Sequence, residues 1–262
     1  MKKFALVLGG GGAKGYAHIG VLKVLEKHGL IPDLIVGTSM GSLVGGMYAC
    51  GKSIDEMIAL AKKFNNIGNF SLYSTLFKES LLNTNKVKNI LSKEFGEQTF
   101  ETAKIPFVAV ATEINTGKEF HFKSGPLKQG VMASISIPGV FPRIKVGNNY
   151  YCDGGLVNNL AEDVAREMLP DACVISVDVI GKYSKQVEKC KPKTLETILN
   201  ASTLMTQNVI AKRPQSSDLR IEVCQPHIGQ MDFKSDKALA SIRHGEMTAK
   251  KQISKIIELL NK

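Results

Sequence analysis

The sequence predicts an α/β fold built on a mainly parallel central sheet with helices on both faces. Three observations predict it. Short, mostly apolar runs at Phe4 to Leu8, Phe107 to Ala111 and Cys173 to Val179 have the length and composition of buried strands. Stretches with apolar residues near helical spacing lie between such runs. Glycines and other turn residues mark the junctions, which gives the alternation of strands and helices that builds a parallel sheet.

The elements follow in order. Phe4 to Leu8 is the first strand and Gly9 to Gly12 a loop. Ala17, Val21, Leu22, Val24 and Leu25 recur at helical spacing between Ala13 and His28, and Gly29 stops that helix. Leu34 to Val36 is a second strand. A sharp turn over Gly37 to Gly41 leads into a helix through Leu43, Met47 and Tyr48. Ser53, with Glu56 three residues on, forms a capping box for the next helix. Asn65 to Thr84 carries Phe70, Leu72, Tyr73, Leu76 and Phe77 among polar residues, and is read as a mobile segment or short helices. Phe107 to Ala111 and Lys118 to Lys123 are strands, Ser136 to Asn149 a loop, and Tyr150 to Cys152 a short strand. A helix over Leu160 to Met168, a strand over Cys173 to Val179 and a charged loop over Lys182 to Lys193 come next. Two long amphipathic helices, Thr194 to Ala211 and Asp236 to Leu260, close the sequence.

At 262 residues the chain can form a core of several layers, and α/β folds of this length often stay single. One domain over residues 1–262 is expected, with a motif-bearing core over about 4–180 and a helical C-terminal part over about 190–262. No apolar run approaches the ~20 residues that span a bilayer, and the N-terminal run is too short for an export signal. The five cysteines form no Cys-x-x-Cys pair, which suggests neither a disulfide framework nor a zinc site. A cytoplasmic protein is expected, without metal or cofactor. The net charge of +10 fits a lysine-rich solvated surface and also admits peripheral contact with an anionic membrane. No nucleic-acid module is present, so no nucleic-acid partner is expected. The oligomeric state is not legible.

The chemistry concentrates in three motifs. Gly9-Gly10-Gly11-Gly12-Ala13-Lys14-Gly15 lies between a strand and a helix start, where glycines let backbone N–H groups converge on an anion. It is a poor P-loop, because Gly15 stands where Ser or Thr would hold Mg²⁺. Gly10, Gly12 and Gly15 match a dinucleotide fingerprint literally, but the acid required at the end of the second strand is missing; Asp33 precedes that strand. The remaining identity is an oxyanion hole. Gly37-Thr38-Ser39-Met40-Gly41 has the form G-x-S-x-G in strand–turn–helix context, which projects the Ser39 hydroxyl outward as a nucleophile. A plain helix cap would explain the serine but not both glycines. Asp153-Gly154-Gly155 follows a strand, and its glycines let backbone fold close around the carboxylate; the competing reading is an ordinary Asp-Gly turn. The preceding apolar, proline-fixed stretch Ser134 to Pro142 suits a site wall. A serine nucleophile needs a base. A Ser-Asp-His order is available through Ser39, Asp153 and His227 or His244, although neither histidine sits in a motif.

Taken in order, Gly10 to Gly15, Gly37 to Gly41 and Asp153 to Gly155 resemble the bacterial patatin-like phospholipase family, as does Ala133 to Asp163 with its Ser-Ile-Pro-Gly-Val-Phe-Pro and Asp-Gly-Gly-Leu-Val-Asn-Asn segments. The resemblance covers most of residues 4–180 and is weaker over Asn65 to Thr102 and beyond Gly181. It implies a three-layer α/β/α patatin-like fold and a serine lipid acyl hydrolase of phospholipase A, lysophospholipase or carboxylesterase type. It implies a dyad of Ser39 as nucleophile and Asp153 as proton acceptor. It places the oxyanion hole in the loop of Gly10, Gly11 and Gly12, with the N–H groups of Gly11 and Gly12 foremost. Lys14 matches the family's basic position and is expected to meet a substrate phosphate; Gly15, Gly37, Gly41, Gly154 and Gly155 are motif glycines. Arg143 after Pro142, and Ala161 after Leu160, depart from the pattern and bear on loop shape. A Ser-Asp-His esterase, or a weakly catalytic phospholipid-binding or regulatory protein of the same fold, are the alternatives. A dyad is expected to lose activity toward about pH 4, the range of an ordinary Asp, and a triad near the imidazole value of about 6.5.

Overall fold

The computed structural model describes residues 1–63, 84–181 and 194–262. Its principal elements are β1 (Phe4–Leu8), a 3-10 turn (Gly12–Tyr16), α1 (Ala17–Lys27), β2 (Leu34–Thr38), α2 (Met40–Ala49), α3 (Ile54–Lys63), α4 (Thr84–Phe95), β3 (Phe107–Glu113) and β4 (Lys118–Phe122). There follow α5 (Leu127–Ser134), β5 (Ile144–Val146), β6 (Asn149–Asp153), a second 3-10 turn (Gly154–Leu156), α6 (Glu162–Met168), β7 (Cys173–Asp178), α7 (Thr194–Lys212), β8 (Leu219–Glu222) and α8 (Ser235–Asn261).

The strands form a single mixed sheet in the order β5-β6-β3-β2-β1-β7-β8, with β4 also pairing β3. The run from β3 through β2, β1 and β7 to β8 is parallel throughout. The antiparallel pairings belong to β4, β5 and β6. Strand side chains alternate between two apolar layers, as the period of two requires. Phe4, Leu6 and Leu8 of β1 face a large core closed by α1 to α5 and α8, whereas Ala5 and Val7 face a smaller one against Val164 and Ala165 of α6 and Ile210 of α7. Both faces of the sheet are therefore covered, which is why β1 and β2 are apolar at nearly every position. Truncating a fully buried residue such as Leu6 to alanine is expected to cost roughly 2–5 kcal/mol.

Register decides where the site falls. β4 pairs β3 over Ala109 to Glu113, β2 pairs it over Phe107 to Val110, and β6 pairs it over Ala111 to Glu113. Because both β2 and β6 overlap the span taken by β4, both must occupy the opposite edge of β3. They lie there end to end: Thr38 is opposite Val110 and Asp153 is opposite the next residue, Ala111. The residue after Thr38 is Ser39, so the C-terminal ends of β2 and β6 meet head-on.

Several expectations are corrected. The helix expected from Ala13 begins as a 3-10 turn and becomes α-helical only at Ala17; Gly12 sits at φ 55 and the Ala13 N–H donates to the Gln230 carbonyl at 2.7 Å. The loop expected over Ser136 to Asn149 contains β5, which pairs with β6 across a turn at Gly147. Helices α4 and α5 and strand β8 are not among the expected elements, although Val87, Ile90, Leu91 and Phe95 of α4 recur at helical spacing and Leu219 and Ile221 of β8 alternate with Arg220 and Glu222. The capping box at Ser53 is present: Glu56 Oε2 accepts from the Ser53 N–H at 2.8 Å and the Ser53 hydroxyl accepts from the Glu56 N–H at 3.3 Å. The aromatic segment Phe70 to Phe77 and the lysine loop over 182–193 lie outside the described residues. Among the described residues no helix is long and apolar enough to cross a membrane, and no group of three or more His, Cys, Asp or Glu side chains is placed to hold a metal ion.

Candidate active site

Ser39 occupies the step between β2 and α2. Its φ of 54° makes it the one non-glycine residue in the left-handed region among the described residues. Such a conformation costs about 1–3 kcal/mol and persists only where surrounding contacts enforce it. Here they are identifiable. The Ser39 N–H donates to Ser134 Oγ at 2.9 Å, and Ser134 Oγ donates onward to the Val110 carbonyl at 2.6 Å. Ser134 thus bridges the gap in the ladder where β2 stops and β6 has yet to begin. On the other side the Ser42 hydroxyl donates to the Ser39 carbonyl at 2.7 Å. Gly37 lies on β2 against Ser42, and Gly41 lies in the first turn of α2, where an added Cβ would stand 2.0 Å from the Leu8 carbonyl oxygen. The turn can be this tight only because those two positions carry no side chain.

The Ser39 hydroxyl donates to Asp153 Oδ2 at 2.5 Å, and Asp153 Oδ1 accepts the Gly155 N–H at 2.8 Å. The Asp153 backbone is tied down by its N–H to the Ser136 carbonyl (2.9 Å) and by the Thr112 hydroxyl on its carbonyl (2.9 Å). Gly154 passes so close to the Val110 carbonyl that an added Cβ would lie 2.3 Å from its oxygen. Both Ser39 and Asp153 are buried. Burial pushes the Asp153 carboxyl up from 3.8 to about 6, against the hydrogen bonds from Ser39 and Gly155, which pull it down. The titration expected near the ordinary Asp value is therefore displaced toward the imidazole range, and a pH profile by itself no longer separates a carboxylate base from a histidine.

The glycine loop stands opposite. Gly10 donates its N–H to the Asn159 carbonyl at 3.2 Å, so that donor is already engaged. Gly11 and Gly12 line the cleft beside Ser39 and Asp153, and among the described residues no backbone acceptor takes the N–H of either. Gly12 also abuts the segment between β8 and α8: a Cβ there would come within 2.2 Å of the Gln230 carbonyl oxygen. Gly15 packs under Met40.

Two clefts meet at Ser39. One is mixed in character, with Asp153, Asn159, Thr206 and Gln230 among its walls. The other is almost wholly apolar, lined by Leu43, Val87, Leu91, Phe141 and Phe233. Ile137 belongs to both, so the proline-fixed stretch before β5 serves as a site wall. A hydroxyl against a buried carboxylate, with open backbone N–H groups across the cleft, can deliver an alkoxide to a carbonyl and hold the resulting oxyanion.

Other residues singled out in the sequence fall elsewhere. Among the described residues no histidine lines either cleft. His227 is exposed, and His244 sits half-buried on α8. Lys14 lines neither cleft; it is half-buried, and burial lowers its pKa while Cys224 and Asp178 act to raise it. A contact between Lys14 and a substrate phosphate at Ser39 therefore has no support in the geometry. Three supporting residues carry no assigned role in the sequence reading: Ser134 and Asn159, which begin or end stretches singled out there, and His18, whose Nε2 donates to the Gly9 carbonyl at 2.7 Å. For Asn159 the available signal is its place at the end of the Asp-Gly-Gly-Leu-Val-Asn-Asn segment.

The fold and site define an α/β protein that presents a serine hydroxyl to a carboxylate at the carboxyl ends of its strands. The family model for patatin-like phospholipases matches residues 6–166, and the chain belongs to that family. It is 37% identical over 204 residues to an uncharacterized NTE family protein of Mycobacterium tuberculosis strain H37Rv, covering 76% of this chain and 55% of that protein. It is 35% identical over 178 residues to lysophospholipase nte1 of Aspergillus fumigatus, covering 66% of this chain and 12% of the fungal one. The chain thus spans about half the length of the first of these relatives and far less of the second. Among solved structures, VipD from Legionella pneumophila shares the fold, with a TM-score of 0.54 at 13% identity, covering 97% of this chain and 67% of that one.

Proposed function

We infer that this protein is a serine acyl hydrolase acting on lipid esters, with Ser39 as nucleophile and Asp153 as proton acceptor. The observation that carries the reading is the 2.5 Å hydrogen bond from the strained Ser39 hydroxyl to the buried Asp153 carboxylate. Membership of a phospholipase family and the name of the fungal relative support lipid esters as the substrate class.

The geometry supports the following course for the reaction. Asp153 takes the Ser39 proton as Oγ attacks the ester carbonyl. A carboxyl poised at about 6 is mostly ionised at neutral pH and yet a stronger base than an ordinary aspartate, which brings its driving force closer to that of an imidazole. The oxyanion forms toward Gly11 and Gly12, each donor lowering the barrier by about 3 kcal/mol. Gly10 is left out of that pair because Asn159 holds its N–H. The alcohol leaves with the proton from Asp153. Water then enters and attacks the acyl carbon as Asp153 takes its proton; Asp153 returns that proton to Ser39 Oγ as the acyl–oxygen bond breaks and the acid leaves. The apolar cleft of Leu43, Val87, Leu91 and Phe141 suits the acyl chain, and the mixed cleft suits the departing alcohol. The packing of α8 against α1 supports reading residues 1–262 as one domain.

The test is mass spectrometry of a lipid extract incubated with the protein and with Ser39→Ala. Fatty acid release by the first and none by the second is the expected result. Release by a folded Ser39→Ala protein would remove Ser39 as the nucleophile.

A further inference from the structure

We propose that Asn159 is a positioning residue that aims the Gly11 N–H into the cleft where the oxyanion forms; the proposal rests on the serine hydrolase reading above. A loop of consecutive glycines has no side chains to fix its peptide planes, so its donor directions must be imposed from outside. In a trans peptide the carbonyl and the N–H point to opposite sides of the same plane. The peptide that carries the Gly11 N–H carries the Gly10 carbonyl, and Asn159 Nδ2 donates to that carbonyl at 3.2 Å. Holding the carbonyl on the Asn159 side turns the Gly11 N–H to the other.

The preceding peptide is clamped as well. Its N–H, on Gly10, donates to the Asn159 backbone carbonyl at 3.2 Å, and its carbonyl, on Gly9, accepts from His18 Nε2 at 2.7 Å. A carbonyl can only accept, so His18 carries its proton on Nε2. Its ring is fully buried, and burial lowers its pKa to about 4, so it stays neutral across the working range. Asn159 itself cannot drift. It is buried, and the neighbouring Asn158 carbonyl accepts from the Thr38 hydroxyl at 3.1 Å, tying this segment to the residue before Ser39. The fit leaves no room at Gly10, where an added Cβ would fall 2.4 Å from Asn159 Oδ1. One side chain thereby sets the oxyanion donor relative to both the nucleophile and the Asp153 turn.

The experiment compares the full chain with Asn159→Ala, which deletes the donor, and Asn159→Asp, which keeps shape and the backbone bond to Gly10 while losing the donor. Three readouts are taken on a nitrophenyl ester of a fatty acid: kcat, KM, and inhibition by two analogues with the same acyl chain. A trifluoromethyl ketone is attacked by Ser39 and develops an oxyanion; an amide stays planar. In both variants kcat should fall by about ten- to a hundred-fold, part or all of one oxyanion donor. KM and the amide Ki should hold within about two-fold, and the ketone Ki should rise by the factor lost from kcat/KM. Unchanged kcat in either folded variant, or amide and ketone weakening together, overturns the proposal. Ser39→Ala is run alongside: if it still hydrolyses, the Ser39 reading falls and this proposal with it. If it is dead while the Asn159 variants keep full kcat, only the positioning role is overturned.

Discussion

Asp153 should be destabilising at neutral pH, and its replacement by asparagine should show this as a gain in stability that depends on pH. Burial raises the carboxyl from 3.8 to about 6, a shift of about two units. At about 1.4 kcal/mol per unit, the folded state disfavours ionised Asp153 by on the order of 3 kcal/mol. The sign follows from proton binding. Between about pH 4 and pH 6 the folded chain holds the proton more tightly than the unfolded one, so stability falls as pH rises through that window and levels off above it. The amide introduced by Asp153→Asn stays neutral throughout. The variant should match the parent at about pH 4 and exceed it by about 3 kcal/mol at pH 8, or roughly 5–10 °C in Tm. Thermal and urea unfolding at pH 4, 5, 6, 7 and 8 measure the difference, in which the other titrating groups cancel. Hydrolysis should be lost at every pH, because the amide cannot accept the Ser39 proton, and the parent's activity should fall through a midpoint near pH 6. A stability difference that is constant across the series, or a variant weaker than its parent at pH 8, would refute the reasoning.

Val87→Phe narrows the apolar cleft beside Leu43 and Leu91 without touching Ser39. It should lower kcat/KM on esters of long-chain acids by about ten-fold or more and leave an acetyl ester within about two-fold, read from a chain-length series. Lys14→Ala should reduce hydrolysis of a phospholipid and of an uncharged ester by the same factor, since Lys14 lines neither cleft at Ser39. A loss confined to the phospholipid would restore the phosphate contact.

What is legible in the sequence is what short-range physics determines. β1 and β2 are buried on both faces, so their apolar residues run without interruption and declare them. Gly37, Ser39 and Gly41 declare the turn because a strand-to-helix step this tight excludes Cβ atoms on either side of the serine. β8 escapes such a reading because it spans only Leu219–Glu222: its residues alternate apolar and polar, but an alternation this short declares a strand only once β7 pairs with it. The roles of Gly10 and Lys14 are not legible for a related reason. Which N–H of a glycine loop is engaged depends on Asn159, 149 residues away, and the Lys14 backbone is held by the Gln225 and Ser241 side chains, which both donate to its carbonyl from more than 200 residues on. The height of the Asp153 pKa likewise comes from tertiary burial. Beyond the family-matched residues 6–166, Ile180, Thr206, Gln230 and Phe233 complete the clefts, and no motif marks any of them.

The antiparallel strand β6 is the element on which the site turns. In an open parallel sheet the carboxyl ends of the strands share one side, and ligands gather there. β1 and β2 obey this: the glycine loop and Ser39 both leave from those ends. A further parallel neighbour would send its last residue up alongside Ser39, and its carboxylate would have to reach across from a loop. β6 instead runs toward the end of β2 along the edge of β3 that β2 has just vacated, so its terminal residue faces Ser39 directly. The interruption leaves backbone groups of Val110 and Ser39 without ladder partners, and the Ser134 hydroxyl takes both at 2.6 and 2.9 Å. Ser134 thereby makes the break tolerable while Gly154 lets the chain turn away beneath it. Strained serine and buried carboxylate each oppose stability, and each is held by strand ends rather than by a free loop. That placement keeps the 2.5 Å contact in register without a third side chain to orient it.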